Sequence, residues 1–90
     1  MSSYAVVKDD ILLRLRKVEG QVKGLQRMVE ENKYCVDVLV QIAAARAALK
    51  TVGTMIIEQH VRGCVRNALA RERGDEIIDE LIDVLNRFMA

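Results

Sequence analysis

The stretch Tyr34-Cys35-Val36-Asp37-Val38-Leu39-Val40-Gln41-Ile42-Ala43-Ala44-Ala45-Arg46-Ala47-Ala48-Leu49-Lys50-Thr51-Val52 decides the fold. Val38, Ile42, Leu49 and Val52 recur at helical spacing, and Ile56 and Val61 continue the stripe. The spacing predicts one helix from about Tyr34 to Arg71, with Gly53 and Gly63 tolerated inside it. Its middle is small, with alanine at 43, 44, 45, 47 and 48, so a second helix can approach closely. A helix this long in a chain of 90 residues cannot be covered by its own short partners. It calls for another copy.

Upstream, Ile11, Leu15, Val18, Val22, Leu25 and Val29 form a heptad-like seam, which predicts a helix over about Lys8 to Glu31. Asp9 and Asp10 suit its N-terminal end. Gly20 and Gly24 weaken it and permit close approach of another backbone. Glu31-Asn32-Lys33 is the expected break. Downstream, Arg71-Glu72-Arg73-Gly74 reads as a helix end with a glycine terminator. Asp75 to about Phe88 is a third, amphipathic helix, with Ile78, Leu81, Leu85 and Phe88 on one face. The expected architecture is all-α and single-domain over residues 1–90: a long helix, a longer one and a short one.

Composition narrows the function. The chain is 51% hydrophobic and 30% charged, which excludes a disordered tail. Aromatic residues are only 3%, too few for a stacking platform on single strands. No long uncharged apolar run and no secretory leader is evident, so the cytoplasm is the expected location. Net charge is +1 but unevenly spread. Lys and Arg outnumber Asp and Glu by seven to four over residues 31–74, and the balance reverses to one against five over 75–90. A basic body with an acidic end fits local attraction to a polyanion.

Cys35, His60 and Cys64 are the only cysteines and histidine. His60 and Cys64 are four apart, so on a helix they face the same way and can share a metal. Alone, the pair reads as readily as core residues, since free Cys is often buried. Cys35 lies 25 residues before His60, about 37 Å along one helix. The three cannot meet within one chain. In an antiparallel homodimer they can: a two-fold axis near residues 48–50 sets Cys35 of one chain beside His60 and Cys64 of its partner. Two thiolates and an imidazole suit Cu(I), which accepts low coordination numbers. Structural Zn(II) usually wants a fourth ligand.

Arg14, Lys17 and Gln21 share one face of the first helix, and Arg16, Lys23 and Arg27 another. Arg46 and Lys50 lie one turn apart on the second. These faces fit either a solvated surface or phosphate contacts on a duplex. No helix-turn-helix, zinc finger or basic zipper is evident.

The segments Arg14-Leu15-Arg16-Lys17-Val18-Glu19-Gly20-Gln21-Val22-Lys23-Gly24, Met28-Val29-Glu30 and Tyr34 to Ala44 resemble the copper-sensitive operon repressor (CsoR) family. The resemblance runs from about Ile11 to Phe88. It implies an all-α homotetramer, a dimer of dimers, that binds double-stranded operator DNA and is released by Cu(I). It implies Cys35, His60 and Cys64 as ligands, with Tyr34 and Glu80 around them. A carboxylate such as Glu80 would take the free ring N–H of His60. It also implies Arg14, Arg16, Lys17, Gln21 and Lys50 as DNA contacts. The nickel/cobalt branch uses further histidines that this chain lacks, and the persulfide branch has a cysteine where His60 stands.

The expected function is thus a Cu(I)-responsive repressor. The alternatives are a thiol-reactive or other-metal sensor of the same family, or a copper carrier or structural protein without a DNA role. An enzyme is not expected, since there is no phosphate loop and no placed nucleophile and base.

Overall fold

Asn32 makes the first reversal of the chain, with a left-handed backbone at φ 55°. Lys33 N–H donates to the Met28 carbonyl at 3.0 Å and Asn32 N–H to that of Val29 at 3.1 Å. Together they close helix α1 (Lys8–Glu30) with a Schellman end. Asn tolerates this conformation better than most side chains, so the expected break is also the residue suited to make it. Helix α2 (Cys35–His60) starts immediately, its first turn set by Val38 N–H donating to the Tyr34 carbonyl at 3.1 Å. Before α1 lies a short 3-10 turn, Ala5–Val7, and Asp9 and Asp10 occupy the first turn of α1 as expected. The computed structural model describes residues 4–72 and 74–90, apart from the side chains of Cys64 and Val65.

The chain stays helical from Cys35 to Ala70, but not as one α-helix. A π-helical turn, Val61–Val65, follows α2 and leads into α3 (Arg66–Ala70). The turn's sequence, Val-Arg-Gly-Cys-Val, is mostly made of weak helix formers, so a local change of pitch costs little there. The periodicity of the apolar stripe carried no sign of it.

Glu72 makes the second reversal at φ 58°, its N–H donating to the Leu69 carbonyl at 3.2 Å. This corrects the expected glycine terminator. Gly74 instead opens α4 (Gly74–Met89), and among the described residues no glycine has a positive φ. Arg73, also within the expected helix end, lies outside the described residues. Gly74 serves close approach: a Cβ there would overlap the Leu69 side chain and come within 3.7 Å of the Leu69 Cα. The expected all-helical order of three rods therefore stands, with α2, the π turn and α3 as the middle one, and no strand among the described residues.

The chain divides into two compact units, one of residues Val7–Thr54 and one built around Met55–Ala90. In the first, the predicted seams split. Ile11 and Val18 are buried on α1 and Leu25 is half-buried, while Leu15, Val22 and Val29 are exposed. On α2, Ala45 and Val52 are buried and Val38 is half-buried, while Ile42 and Leu49 are exposed. Each inward row has seven-residue spacing: Ile11, Val18 and Leu25 on α1, and Val38, Ala45 and Val52 on α2. One row of each helix is thus turned inward and the other is left open.

In the second unit α4 packs against α3 and the π turn. Gly74 is buried and Ile77, Leu81 and Leu85 are half-buried. Ile78 and Phe88, predicted to face inward, are 39% and 38% exposed. The inward line is thus shifted to Ile77, because Gly74 fixes the approach at the start of α4.

Candidate functional site

Cys35 is the first residue of α2 and its thiol is free and exposed. Tyr34 stands just outside the helix, 68% exposed, with its carbonyl spent on the first helical bond. His60 closes α2 and is half-buried. Cys64 falls within the π turn, and its side chain lies outside the described residues. Cys35 and His60 are therefore the two ends of a 26-residue helix, where the sequence reading had His60 inside a longer one. Among the described residues no three His, Cys, Asp or Glu side chains gather to hold a metal.

Row membership adds what spacing alone did not give. Cys35 is seven residues from Ile42 and fourteen from Leu49, so it heads the open row of α2. A helix laid on that row covers the cysteine together with the apolar side chains. The donors themselves fit a thiophilic ion: two sulfurs and one imidazole nitrogen. Glu80 is exposed on α4, the helix that packs against the π turn after His60. Among the described residues it makes no hydrogen bond to His60.

The cationic candidates divide. Arg14, Lys17 and Gln21 line one groove of about 250 Å³ on the α1–α2 unit, opposite Ala48 and Thr51 of α2. Lys50 is exposed and adjoins Thr51, but does not line the groove. Arg16 is exposed and also stands apart from it. Gln21 is half-buried, and its Oε1 is inaccessible to solvent and accepts no hydrogen bond. Arg14 Nε donates to Asp10 Oδ1 at 3.0 Å across an ion pair, and Asp10 lines the same groove. The sequence reading gave Asp10 only to the end of the helix. The signal that would have found its second role is an Asp placed four residues before an Arg. Lys23 is likewise paired, with Glu19 at 3.5 Å, and Arg62 with Glu58 at 3.3 Å on either side of His60. All these pairs are exposed, and each contributes at most about 1 kcal/mol.

Residues 7–87 match the family described as metal-sensitive transcriptional repressors. The copper-sensing transcriptional repressor CsoR of Bacillus subtilis (strain 168) is 48% identical over 81 residues, spanning 90% of this chain and 80% of that one. Among solved structures, the copper-sensing repressor CsoR with Cu(I) from Geobacillus thermodenitrificans NG80-2 superposes with a TM-score of 0.85 at 45% identity, covering 91% of this chain and 85% of its own. The nickel-responsive transcriptional regulator InrS is more distant, with a TM-score of 0.74 at 36% identity over 89% of this chain and 90% of its own.

Proposed function

On the premise that this chain belongs to the metal-sensitive transcriptional repressors, we propose that it is a Cu(I)-responsive repressor rather than an enzyme. The whole chain acts as one regulatory domain in the cytoplasm. The apo form binds double-stranded operator DNA. Cu(I), held by Cys35 of one chain and His60 and Cys64 of its partner, lowers the affinity for DNA. Copper-resistance genes are then expressed. By linkage, DNA lowers the affinity for Cu(I) by the same factor.

One observation carries the intersubunit reading: Cys35 heads an exposed apolar row with Ile42 and Leu49, at the opposite end of α2 from His60. An antiparallel partner covering that row brings the far end of its own α2 to Cys35. It also buries apolar surface that one chain leaves in water. The open row of Leu15, Val22 and Val29 on α1 is a second uncovered surface, and two such surfaces fit a dimer of dimers. The bound ion supplies a strong thiophilic link between the chains. Tyr34, next to Cys35, lies beside that link. Glu80 is the carboxylate that orients His60 through its second ring nitrogen. For DNA, Arg14, Lys17 and Gln21 line one groove, and Arg16 and Lys50 extend the cationic surface.

The test is fluorescence anisotropy on the DNA upstream of the protein's own gene, without oxygen, adding Cu(I), Zn(II), Ni(II) and an oxidant in turn. Tight apo binding abolished by Cu(I) alone is the expected result. Release by Ni(II) or Zn(II) alone makes it a sensor of that metal. Release by oxidant alone makes it a thiol sensor, and absence of binding removes the repressor reading.

A further inference from the structure

We propose that Asp10 is a specificity-determining residue of the DNA groove: it holds Arg14 in place and weakens the groove's attraction for duplexes that do not fit. The inference rests on the DNA reading above.

Asp10 and Arg14 line the groove together, with Lys17 and Gln21 along the next turns of α1. Arg14 donates through Nε to Asp10 Oδ1 at 3.0 Å. A guanidinium carries five N–H donors in a fixed fork, so this bond leaves both terminal amino groups open. Arg14 is thereby held through Nε, and its terminal amino groups, which make no hydrogen bond among the described residues, remain for a phosphate. Holding a long side chain in advance lowers the cost of ordering it when a fitted duplex arrives. The same carboxylate subtracts one charge from a groove whose other ionic groups are cationic. Loose binding to DNA depends on the sum of charge and not on the direction of any one side chain. Asp10 therefore opposes loose binding throughout, while in the fitted complex the positioning of Arg14 offsets its repulsion.

Asp9 supplies the control. It is the neighbouring acidic residue in the same first turn of α1, exposed, and it does not line the groove. Removing its charge changes the net charge and the interaction with the helix dipole as much as removing that of Asp10.

The experiment compares the full-length parent with Asp10→Asn, Asp10→Ala and Asp9→Asn. Each binds the upstream duplex and a scrambled duplex of equal length, by anisotropy over a range of salt concentrations, with helicity checked by circular dichroism. Both Asp10 variants are expected to bind the scrambled duplex about two- to fivefold tighter, the scale of one charge near a phosphate in water. Their preference for the upstream duplex falls, most in Asp10→Ala, which also lacks the acceptor for Arg14. Asp9→Asn keeps the parent's preference. An unchanged preference in both Asp10 variants, or an equal fall in Asp9→Asn, overturns this inference alone. A parent chain that does not prefer the upstream duplex overturns the DNA reading and this inference with it.

Discussion

Cys35 and Ile42 occupy one seven-residue row of α2, and both are exposed. The thiol is thus part of the same surface as the apolar side chains that the chain leaves uncovered. Exposed apolar residues at heptad spacing mark a helix that has yet to meet its partner. The proposed metal site and the proposed subunit contact therefore share one row of the helix. Whatever covers Ile42 and Leu49 also reaches Cys35.

A mixed dimer provides the most direct check on a shared site. Cys35→Ala and His60→Ala are each expected to lack an intact site. A dimer of one chain of each kind has one complete set and one with both residues missing. Titration of Cu(I) against a chromophoric competitor should show high-affinity binding to half as many sites as the parent has. If either single variant retains the parent's affinity and stoichiometry, the ligands are not shared.

Placing a carboxylate on the open row should separate the subunits. Ile42→Asp would put a charge at a covered apolar contact, at a cost of several kcal/mol per chain. Sedimentation velocity is expected to show a shift towards monomer and a loss of helical signal on dilution. A variant that sediments like the parent would mean that this row faces solvent in the assembly.

Much of this was legible because two physical signals were strong. Apolar spacing indicated the three rods, and the 25-residue interval set Cys35 and His60 far apart on one helix, which is where the structure has them. The division of each seam into inward and open rows was not legible. Ile11 and Leu15 are equally apolar, and the direction from which the neighbouring helix approaches decides which is buried. The second turn was misread for a related reason. Gly74 looked like a terminator, but its missing side chain makes room for Leu69, and Glu72 accepts the left-handed backbone. The π turn left no trace in the periodicity, since a change of pitch over residues Val61–Val65 shifts the stripe by less than its own breadth.

The inward rows set a limit on side-chain size. Ala45 is 8% exposed and lies between Val38 and Val52 on the row that faces α1. Ala45→Leu adds a branched side chain where the helices approach, with an expected overpacking penalty of about 1–3 kcal/mol. In a chain of this size each kcal/mol lowers the melting temperature by about 4–8 °C. A thermal melt by circular dichroism at constant protein concentration reads this, and an unchanged midpoint would mean that the row has room to spare.

Glu72 offers the opposite change. Its left-handed backbone costs about 1–2 kcal/mol for a residue with a Cβ, and unlike Asn it has no short amide side chain to compensate. Glu72→Gly removes that strain, offset by about 0.5–1 kcal/mol of extra freedom in the unfolded chain. The net expectation is a gain of up to about 1 kcal/mol, measured by urea denaturation with an unchanged slope. Loss of stability would show that the Glu72 side chain contributes more to the turn than its backbone costs.

Lys17 tests whether the groove contacts phosphate. Among the described residues it makes no ion pair, and it lines the groove beside Arg14 and Gln21. Its charge is not offset by a neighbouring carboxylate, whereas that of Arg14 is partly offset by Asp10. Lys17→Ala should weaken binding to the upstream and scrambled duplexes by similar factors, because phosphate contacts carry no sequence information. The slope of log affinity against log salt should fall in magnitude by about 0.9, the value for one counterion released from duplex DNA. Arg16→Ala, on the other face of α1, should lower the slope by a similar amount only if a second surface of the assembly also touches the duplex. A full parental slope in Lys17→Ala would place the duplex elsewhere and leave the groove without a role in DNA binding.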